Sequence, residues 1–253
     1  LSVDAILTAG PLLVALVVCT VVIGICIVSL VARASKLNNR MGALLAAGSS
    51  VCGVSAVAAA APAVNADETQ IAHAAATILV FDAVTLLIFP ILGGFLDLAP
   101  EAYGVWIGLS MFSTGPVAAA GFAHSAIAGQ WATLTKLTRN AMIGVVALSY
   151  SLYYTKQSNK NQTSIGRIWA DFPKFLIGFL LLAAVANLGN MPPAVVELLS
   201  KTSDFLFLLA FAGLGFEIQL DEMRHTGILP LTVVGIYLLI GSIISYYLVT
   251  ILL

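Results

Sequence analysis

Long apolar runs separated by short polar segments make up most of the chain. Because the hydrocarbon core of a bilayer requires roughly 20 apolar residues per helix, these runs predict an all-α polytopic membrane protein of about eight spans. We letter the predicted spans A to H: Pro11 to Ala32, Gly42 to Ala63, Ile71 to Leu96, Ala102 to Ala128, Thr133 to Tyr154, Phe172 to Leu188, Val195 to Phe216 and Ile228 to Leu253. We interpret residues 1–253 as one transmembrane domain.

The composition favours the same interpretation. Of the 253 residues, 60% are hydrophobic and 9% are charged, and the mean hydropathy is +1.03. An ordinary soluble domain contains roughly a quarter charged residues. The net charge of -1 provides no basic surface for nucleic acid. The three cysteines lie inside apolar runs and form no CxxC pair, which predicts neither a disulfide framework nor a metal site: Cys19, Cys26 and Cys52.

Sequence motifs of hydrolases and nucleotide-driven pumps are absent. The chain contains no HExxH, no GxSxG, no P-loop and no GxGxxG. We therefore expect no enzymatic activity, no cofactor and no ATP-driven motor within this chain.

Charges in the loops predict the orientation, because cytoplasmic loops carry an excess of Lys and Arg. The loop from A to B and the loop at residues 155–171 carry most of the bases, including Arg33, Lys36, Arg40, Lys156, Lys160 and Arg167. Four spans separate these two loops, so the charges predict that both are cytoplasmic. The acidic loop between B and C, with Asp67 and Glu68, is then predicted outside, together with the turn at Pro192 and Pro193.

Span B consists almost entirely of small residues and contains three serines, Ser49, Ser50 and Ser55. Small residues allow close approach of neighbouring backbones, so this composition favours a helix surrounded by protein. Glycine and serine also weaken a helix locally. We therefore predict an interruption near Gly53 that presents polar groups to a water-filled cavity. The alternative is an unbroken, tightly packed helix.

Span D is the second predicted interrupted helix. Its middle contains Ser110, Ser113, Thr114, Gly115 and Pro116. A proline inside a helix removes a backbone hydrogen bond and leaves a carbonyl free. Two helices interrupted at similar depth are the best sequence indication of a solute site in a transporter. The alternative is a proline-kinked helix whose hydroxyls bond to their own backbone.

Three charged residues within apolar spans are functional candidates. Asp82 lies in the middle of span C, where an ionisable group is costly and should face protein or water, so it is the candidate for coupling to protons or sodium. Lys136 and Arg139 lie three residues apart and share one helix face. We predict them one turn or so inside the outer membrane edge, where they would attract an anion. The alternatives are a packing contact for Asp82 and snorkelling to the interface for the basic pair.

A short internal similarity suggests repeats of inverted topology, which many secondary transporters contain. Residues Leu1 to Asp4 followed by Gly10 match Ile218 to Asp221 followed by Gly227 at a constant offset. Spans A and H follow the two segments and face opposite ways. This pairing predicts that helices preceding Leu1 are missing from the chain.

The segment from Gly48 to Ala56, with Ala61 and Pro62, resembles the G-S-x-x-C-G-x-S-A segment of the YeiH-like membrane proteins. Further similar segments are Tyr103 to Trp106, Ala118 to Gly121, Ala132 to Arg139, Asn187 to Gly189 and Gly213 to Gly215. That family is labelled as sulfate exporters and grouped with the bile acid, arsenite and riboflavin transporter superfamily. The resemblance implies an inverted-repeat secondary transporter of the bacterial inner membrane, with two or three further helices at the front.

The chain departs from that family's pattern in two places. In span D the family has a histidine, an acid and a glutamine where this chain has Phe112, Ser113 and Pro116. Asp82 also lies where a small or uncharged residue is expected. The substrate and coupling ion of the family therefore do not transfer directly to this chain.

Together these observations predict a secondary transporter for a small, anionic solute such as sulfate or an organic anion, coupled to Na⁺ or H⁺ through Asp82. A passive channel and a membrane receptor without transport are the alternatives. The expected partners are the solute and the bilayer, and a homodimer is left open. The expected solute-binding residues are Ser49, Ser50, Cys52, Gly53, Ser55, Ser110, Phe112, Ser113, Thr114, Gly115, Lys136 and Arg139.

Overall fold

The computed structural model describes residues 3–157 and 228–252, together with single positions between 192 and 205. Within residues 3–157 and 228–252 the chain forms nine helices and no strand, so the predicted all-α class is confirmed. They are α1 (Val3–Ala34), α2 (Asn39–Ser50), α3 (Val54–Val64), α4 (Glu68–Leu96), α5 (Pro100–Ser110), α6 (Thr114–His124), α7 (Ala126–Asn140), α8 (Ile143–Gln157) and α9 (Leu229–Leu252). Predicted span F lies outside the described residues, as do most of span G and of the 155–171 loop.

Three described helices are long and apolar enough to cross a membrane. They are residues Gly10–Ala34 of α1, all of α4 and all of α9, and they correspond to predicted spans A, C and H. α4 begins with a capping box, in which the Asp67 carboxylate accepts from the Gln70 backbone N–H at 2.8 Å. The remaining described helices are shorter; five of them pack against at least one of these three, and α8 packs against α3.

Predicted span B is interrupted, as expected, but it folds back on itself. α2 and α3 are separated by residues 51–53, where Gly53 has a φ of 76° that favours glycine. Beyond this turn Val57 packs against Gly48. α3 then packs along α8, whose Tyr154 hydroxyl donates to the Asn39 carbonyl at the start of α2. The start of α2 and the whole of α3 therefore lie in the same half of the molecule.

Predicted span D is also interrupted and also folds back. α5 and α6 are separated by residues 111–113. Tyr103, near the start of α5, stacks on His124 at the end of α6, with ring centroids 4.2 Å apart. Gly104 of α5 and Gly121 of α6 both pack against Ala132 of α7. The start of α5 and the end of α6 therefore lie at the same level of the molecule.

The prediction that spans B and D each cross the bilayer is wrong. Each half of these pairs has 11 or 12 residues and so extends about 16 to 18 Å, roughly half of a bilayer core. Hydrophobic length alone does not reveal that a chain turns back. Pro116 is not the cause of the interruption in D, because it lies in the first turn of α6, where a missing N–H removes no helical bond.

Predicted span E is two helices rather than one. α7 begins at Ala126, where the Ser125 hydroxyl accepts from the Ala128 N–H at 3.1 Å, and packs against both α5 and α6. After a turn at residues 141–142, α8 continues toward the end of α1, where Tyr154 contacts Asn39. Together α7 and α8 extend from the α5–α6 end of the molecule to the Asn39 end.

The arrangement of a long helix followed by a folded-back pair occurs twice, in opposite directions. α1 precedes α2 and α3, and α4 precedes α5 and α6. The bounds of α3, Val54 and Val64, recur 60 residues later as the bounds of α6, Thr114 and His124. The similarity predicted between Leu1–Asp4 and Ile218–Asp221 involves residues outside the described part, so it stays a prediction.

These directions revise the predicted loop orientation. Two crossings rather than four separate the basic loops, so both still lie on one side, which the excess of bases assigns to the cytoplasm. The loop with Asp67 lies on this same side, because α3 returns toward Asn39. The prediction that this loop faces outside is therefore wrong.

Candidate functional site

The two folded-back pairs enter from opposite sides, and their turns meet in the middle of the molecule. We call residues 49–55 the inner tip and residues 109–115 the outer tip. The Ser113 hydroxyl lies where any residue larger than Gly53 would place its Cβ, so the tips are in direct contact. Ile78, at the middle of α4, packs against both Gly48 and Gly53. Four helix ends, two C-terminal and two N-terminal, therefore converge at one place.

Arg139 bridges the two tips. Its guanidinium is 1% exposed and donates only to backbone carbonyls. Nε and Nη2 contact the inner tip, and Nη1 contacts the outer tip and the last turn of α5. The acceptors are the carbonyl oxygens of Ser50 at 2.8 Å, Ser49 at 2.6 Å, Leu109 at 2.6 Å, Met111 at 3.0 Å and Gly108 at 3.3 Å.

Lys136 makes a second bridge one turn away along α7. Its Nζ donates to the Val51 carbonyl at 3.0 Å and to the Met111 carbonyl at 3.1 Å, and the side chain is 0% exposed. The predictions that this pair lies near the outer membrane edge, or snorkels to it, are wrong. α7 begins seven residues before Thr133, so Lys136 lies about 15 Å along the helix, at the centre of the molecule.

The two cations satisfy helix C-termini that would otherwise be unpaired. The last carbonyls of a helix have no intrahelical partner and carry the negative end of its dipole. α2 ends at Ser50 and α5 ends at Ser110, both inside the protein. The interrupted main chain at the tips thus faces Lys136 and Arg139, where the sequence predicted a water-filled cavity.

Asp82 lies at the N-terminal end of α6. Its Oδ1 accepts from the Ser113 backbone N–H at 3.0 Å, which places a carboxylate at the positive end of that helix. The side chain is 4% exposed. Among the described residues, its Oδ2 has no hydrogen-bond partner. One carboxylate oxygen is therefore fixed by the outer tip and the other is available.

The predicted hydroxyls separate into two groups. The Ser49 hydroxyl donates to the Leu45 carbonyl at 2.6 Å, and the Ser110 hydroxyl pairs with Ser245 of α9 at 2.8 Å. Ser50 and Ser113 are buried; the Ser50 hydroxyl has no partner in the described part of the chain, and the Ser113 side chain faces the Asp82 carboxylate. The second group is therefore the better candidate for contact with a solute.

The other predicted site residues also lie at the tips. Cys52 and Phe112 are buried, and Phe112 stacks on Tyr237 of α9 with ring centroids 6.1 Å apart. The Thr114 hydroxyl pairs with the Asn140 amide at 3.1 Å. Gly115 has open space beside it, while Ser55 is only partly buried.

Sequence reasoning missed two residues of this site. Asn140 directly follows Arg139, and its position within one apolar span was a signal that it shares the basic pair's environment. Nothing in the sequence indicated Tyr237, because this residue lies far along the chain, in α9, and only the fold brings its hydroxyl to the tips. A Cβ placed on Gly24 would stand 2.6 Å from the Ser50 Oγ and 2.7 Å from the Tyr237 Oη, so these two hydroxyls converge there.

The buried charges at the site do not balance. Lys136 and Arg139 are two cations, and Asp82 is the one buried carboxylate among the described residues. In the described part of the chain, no group of three His, Cys, Asp or Glu side chains is arranged to hold a metal ion. The buried side chains at the tips therefore comprise two basic groups and one acidic group, and the basic groups face the carbonyls at the ends of α2 and α5.

The described helices define the chain as an all-helical, multi-pass membrane protein with two folded-back helix pairs. The chain belongs to the family described as "Conserved hypothetical protein 698", which matches residues 1–234. No solved structure matches the chain.

Similar bacterial proteins are all named as membrane proteins. A UPF0324 membrane protein of Clostridium tetani is 30% identical over 79% of this chain and 62% of its own length. The UPF0324 membrane protein of Bradyrhizobium diazoefficiens is 32% identical over 90% of this chain and 64% of its own length. The UPF0324 membrane protein of Agrobacterium fabrum is 30% identical over 98% of this chain and 71% of its own length. The predicted family and bacterial membrane location are confirmed. The chain spans less than two thirds of the first two relatives, and their names state no solute.

The contact between the tips gives a testable prediction. Replacing Gly53 by alanine is expected to lower the thermal unfolding temperature in detergent, because the new Cβ meets the Ser113 hydroxyl and the φ of 76° is unfavourable for alanine. A loss of about 1 to 3 kcal/mol is expected. Gly115→Ala is the matched control, because its Cβ meets nothing within 4 Å inside a helix. Equal unfolding temperatures for both variants would show that the tips do not require this close contact.

Proposed function

We propose that this protein is a secondary transporter that binds a small anion where the inner and outer tips meet. Its family and fold support a membrane role. The transport assignment is supported by the folded-back helix pairs, because interrupted helices with their ends at mid-membrane form the solute sites of many transporters.

The charge imbalance at the tips is the observation that carries the proposal. Lys136 and Arg139 are fully enclosed, and the one buried carboxylate among the described residues, that of Asp82, offsets only one of their charges. Burying an unbalanced charge is costly unless a counter-charge or strong hydrogen bonds compensate. The C-terminal carbonyls of α2 and α5 supply part of this compensation. A solute with one negative charge would supply the remainder, whereas a neutral solute or a cation would not.

The unpartnered hydroxyls provide the polar contacts that a small anion requires. Buried hydroxyls are normally hydrogen-bonded, and each unsatisfied one costs about 1 to 3 kcal/mol. Ser50 belongs to this class. Ser50 also lies beside the Tyr237 hydroxyl at Gly24. A bound anion would accept hydrogen bonds from these groups and remove that cost.

The opposite directions of the two pairs provide a route to alternating access. Displacing the inner tip would open the centre toward the cytoplasmic side, and displacing the outer tip would open it to the other side. Lys136 and Arg139 hold both tips together by backbone contacts. A solute that competes for these donors would bind one state better than the other, and such differential binding is what shifts a conformational equilibrium.

Asp82 is the coupling group in this proposal. Its Oδ1 is held by the outer tip and its Oδ2 has no partner within the described part of the chain. Uptake of a proton or a sodium ion at Oδ2 would change the charge at the N-terminus of α6. Binding of the coupling ion would therefore be linked to the position of the outer tip.

The experiment that tests the proposal is counterflow in liposomes that contain the purified full chain. Small anions, including sulfate and short organic acids, would first be screened by their effect on the thermal unfolding temperature. A stabilising anion is then expected to show saturable counterflow. Linear flux without counterflow would indicate a passive channel, and binding without flux would indicate a receptor. Stabilisation only by cations or neutral solutes would contradict the anion site.

Ser50 gives a sharper test of the site. Ser50→Ala is expected to weaken binding of the stabilising anion about tenfold, because one hydroxyl donor worth roughly 1.5 kcal/mol is lost from a buried site. The affinity would be measured from the dependence of the unfolding temperature on anion concentration. Thr250→Ala, an exposed position whose hydroxyl bonds its own helix at Tyr246, is the control. Unchanged affinity in Ser50→Ala would remove Ser50 from the site.

A further inference from the structure

A second cavity lies away from the tips, at the cytoplasmic end of the molecule. Its volume is about 480 Å³, within the usual range of ligand pockets of roughly 300 to 1,000 Å³. The end of α1, the start of α2 and the last half of α8 form its walls. The residues that matter for its chemistry are Arg33, Leu37, Tyr150, Tyr153 and Tyr154.

The lining is positive and aromatic. Arg33 is the one charged residue in it, and no carboxylate contributes to the walls. In the described part of the chain, Arg33 forms no ion pair. Arginine presents a planar set of donors that matches the oxygens of a phosphate or a carboxylate. An anionic group is therefore the ligand chemistry that the charged part of this cavity favours.

The tyrosine hydroxyls at this cavity are enclosed or already bonded. The Tyr150 Oη is buried and has no partner among the described residues, so Tyr150 contributes its ring to the cavity wall. The Tyr154 hydroxyl is bonded to the Asn39 carbonyl at 3.2 Å. Arg33 is therefore the charged group that the cavity offers to an anionic ligand.

The rest of the lining suits an apolar body. The rings of Tyr150 and Tyr153, with Leu37 and Ala32, form apolar surface next to Arg33. Tyrosines are enriched where the bilayer meets water, and basic pockets on the cytoplasmic side bind anionic headgroups.

We propose that this cavity binds a phosphate group carried on an apolar body, with Arg33 contacting the phosphate oxygens and the rings of Tyr150 and Tyr153 contacting the apolar body. A phosphatidylglycerol of the cytoplasmic leaflet and a soluble aryl phosphate share this chemistry. The site is separate from the tips and does not depend on the transport proposal.

Native mass spectrometry of the purified full chain tests the proposal. The protein would be titrated separately with phosphatidylglycerol and phosphatidylcholine. We expect one phosphatidylglycerol to be retained about tenfold more tightly, because the choline cation opposes Arg33. Arg33→Gln is expected to abolish this preference. Arg40→Gln, an exposed neighbour outside the cavity, makes the same charge change and is expected to keep it.

Two further measurements separate the sources and guard against misfolding. Displacement of the lipid by phenyl phosphate would show that a soluble phosphate also reaches the cavity, and no displacement would assign it to lipid. Tyr153→Ala removes one ring of the apolar wall, leaves Arg33 in place and is expected to weaken phosphatidylglycerol retention severalfold. No preference for phosphatidylglycerol, or equal retention by the Arg33→Gln and Arg40→Gln proteins, would overturn the proposal. Unchanged retention by Tyr153→Ala would do so as well.

Discussion

Replacing Arg139 by leucine is expected to cause the largest loss of stability of any single substitution in the described part of the chain. The guanidinium donates to five buried carbonyls. Two are in α2, two are in the last turn of α5, and one belongs to Met111, directly after α5. Leucine leaves all of these acceptors without that donor, and each buried unsatisfied group costs about 1 to 3 kcal/mol. Allowing for relaxation and for Lys136, a total loss of about 3 to 5 kcal/mol is expected.

The measurement is the thermal unfolding temperature of the detergent-purified protein. It is determined from the fraction of the protein that remains monomeric after heating. Arg40→Leu removes the same side chain from an exposed position and is expected to change the unfolding temperature little. Arg139→Lys is expected to be intermediate, because an ammonium group has three donors and cannot reproduce the planar fork that contacts both tips. If Arg139→Leu unfolds at the same temperature as Arg40→Leu, then Arg139 does not hold the tips together.

The interruptions of spans B and D were predictable from sequence, whereas their direction was not. Glycine and serine residues near Gly53 and Ser113 weaken the helix wherever it goes, so composition locates the turn. Whether the chain then crosses or returns depends on contacts between residues far apart in sequence. Here α3 packs against α8, and Tyr103 stacks on His124. No periodicity within a 22-residue window contains that information.

The predicted membrane depth of Lys136 and Arg139 was wrong for a related reason. The predicted span E began at Thr133 because span D was assigned a full crossing. α6 ends at His124, and Ser125 has an extended backbone with a φ of -166°, so α7 begins early. Lys136 and Arg139 are therefore carried to the centre. A basic pair followed by Asn140, three polar residues in an apolar span, was the available signal that the pair is enclosed.

The inverted arrangement also left a signal in the sequence that differs from the one identified. Gly48-x-Ser50 recurs as Gly108-x-Ser110, and Val57 followed by three alanines recurs as Val117 followed by three alanines, both at an offset of 60 residues. The same offset relates the bounds of α3 and α6. Small residues in the outer pair allow α5 and α6 to pack closely on α7, and Gly53 of the inner tip allows close contact with Ser113.

That internal comparison also shows what is specific to Asp82. The position 60 residues before it is Val22, so the inner tip has no carboxylate at the matching place on its long helix. Ser113 at the outer tip donates its N–H to Asp82, whereas the matching residue of the inner tip, Gly53, donates its N–H to the Gly48 carbonyl. The two tips are therefore alike in sequence pattern and in the bounds of the helices that follow them, and they differ in the backbone of the turn and in charge.

Asp82→Asn is expected to abolish the dependence of transport on its coupling ion while leaving the protein folded. Asparagine retains an oxygen that accepts from the Ser113 N–H, now at 3.0 Å from Asp82, so the outer tip keeps its contact. The amide neither takes up a proton nor offers a negative charge to sodium. The side chain is thus fixed in an uncharged form, and an imposed ion gradient has no group to act on.

The measurement is anion flux in liposomes with an imposed proton gradient or an imposed sodium gradient, applied separately. In the wild-type chain one of the two gradients is expected to change the flux about tenfold or more, which identifies the coupling ion. In Asp82→Asn neither gradient changes it, and anion exchange without a gradient continues. Asp97→Asn is the matched control, because Asp97 is exposed at the end of the same helix and its φ of 47° suits asparagine. A gradient response that persists in Asp82→Asn at wild-type size would show that the carboxylate at the outer tip only fixes its backbone, and that coupling resides elsewhere.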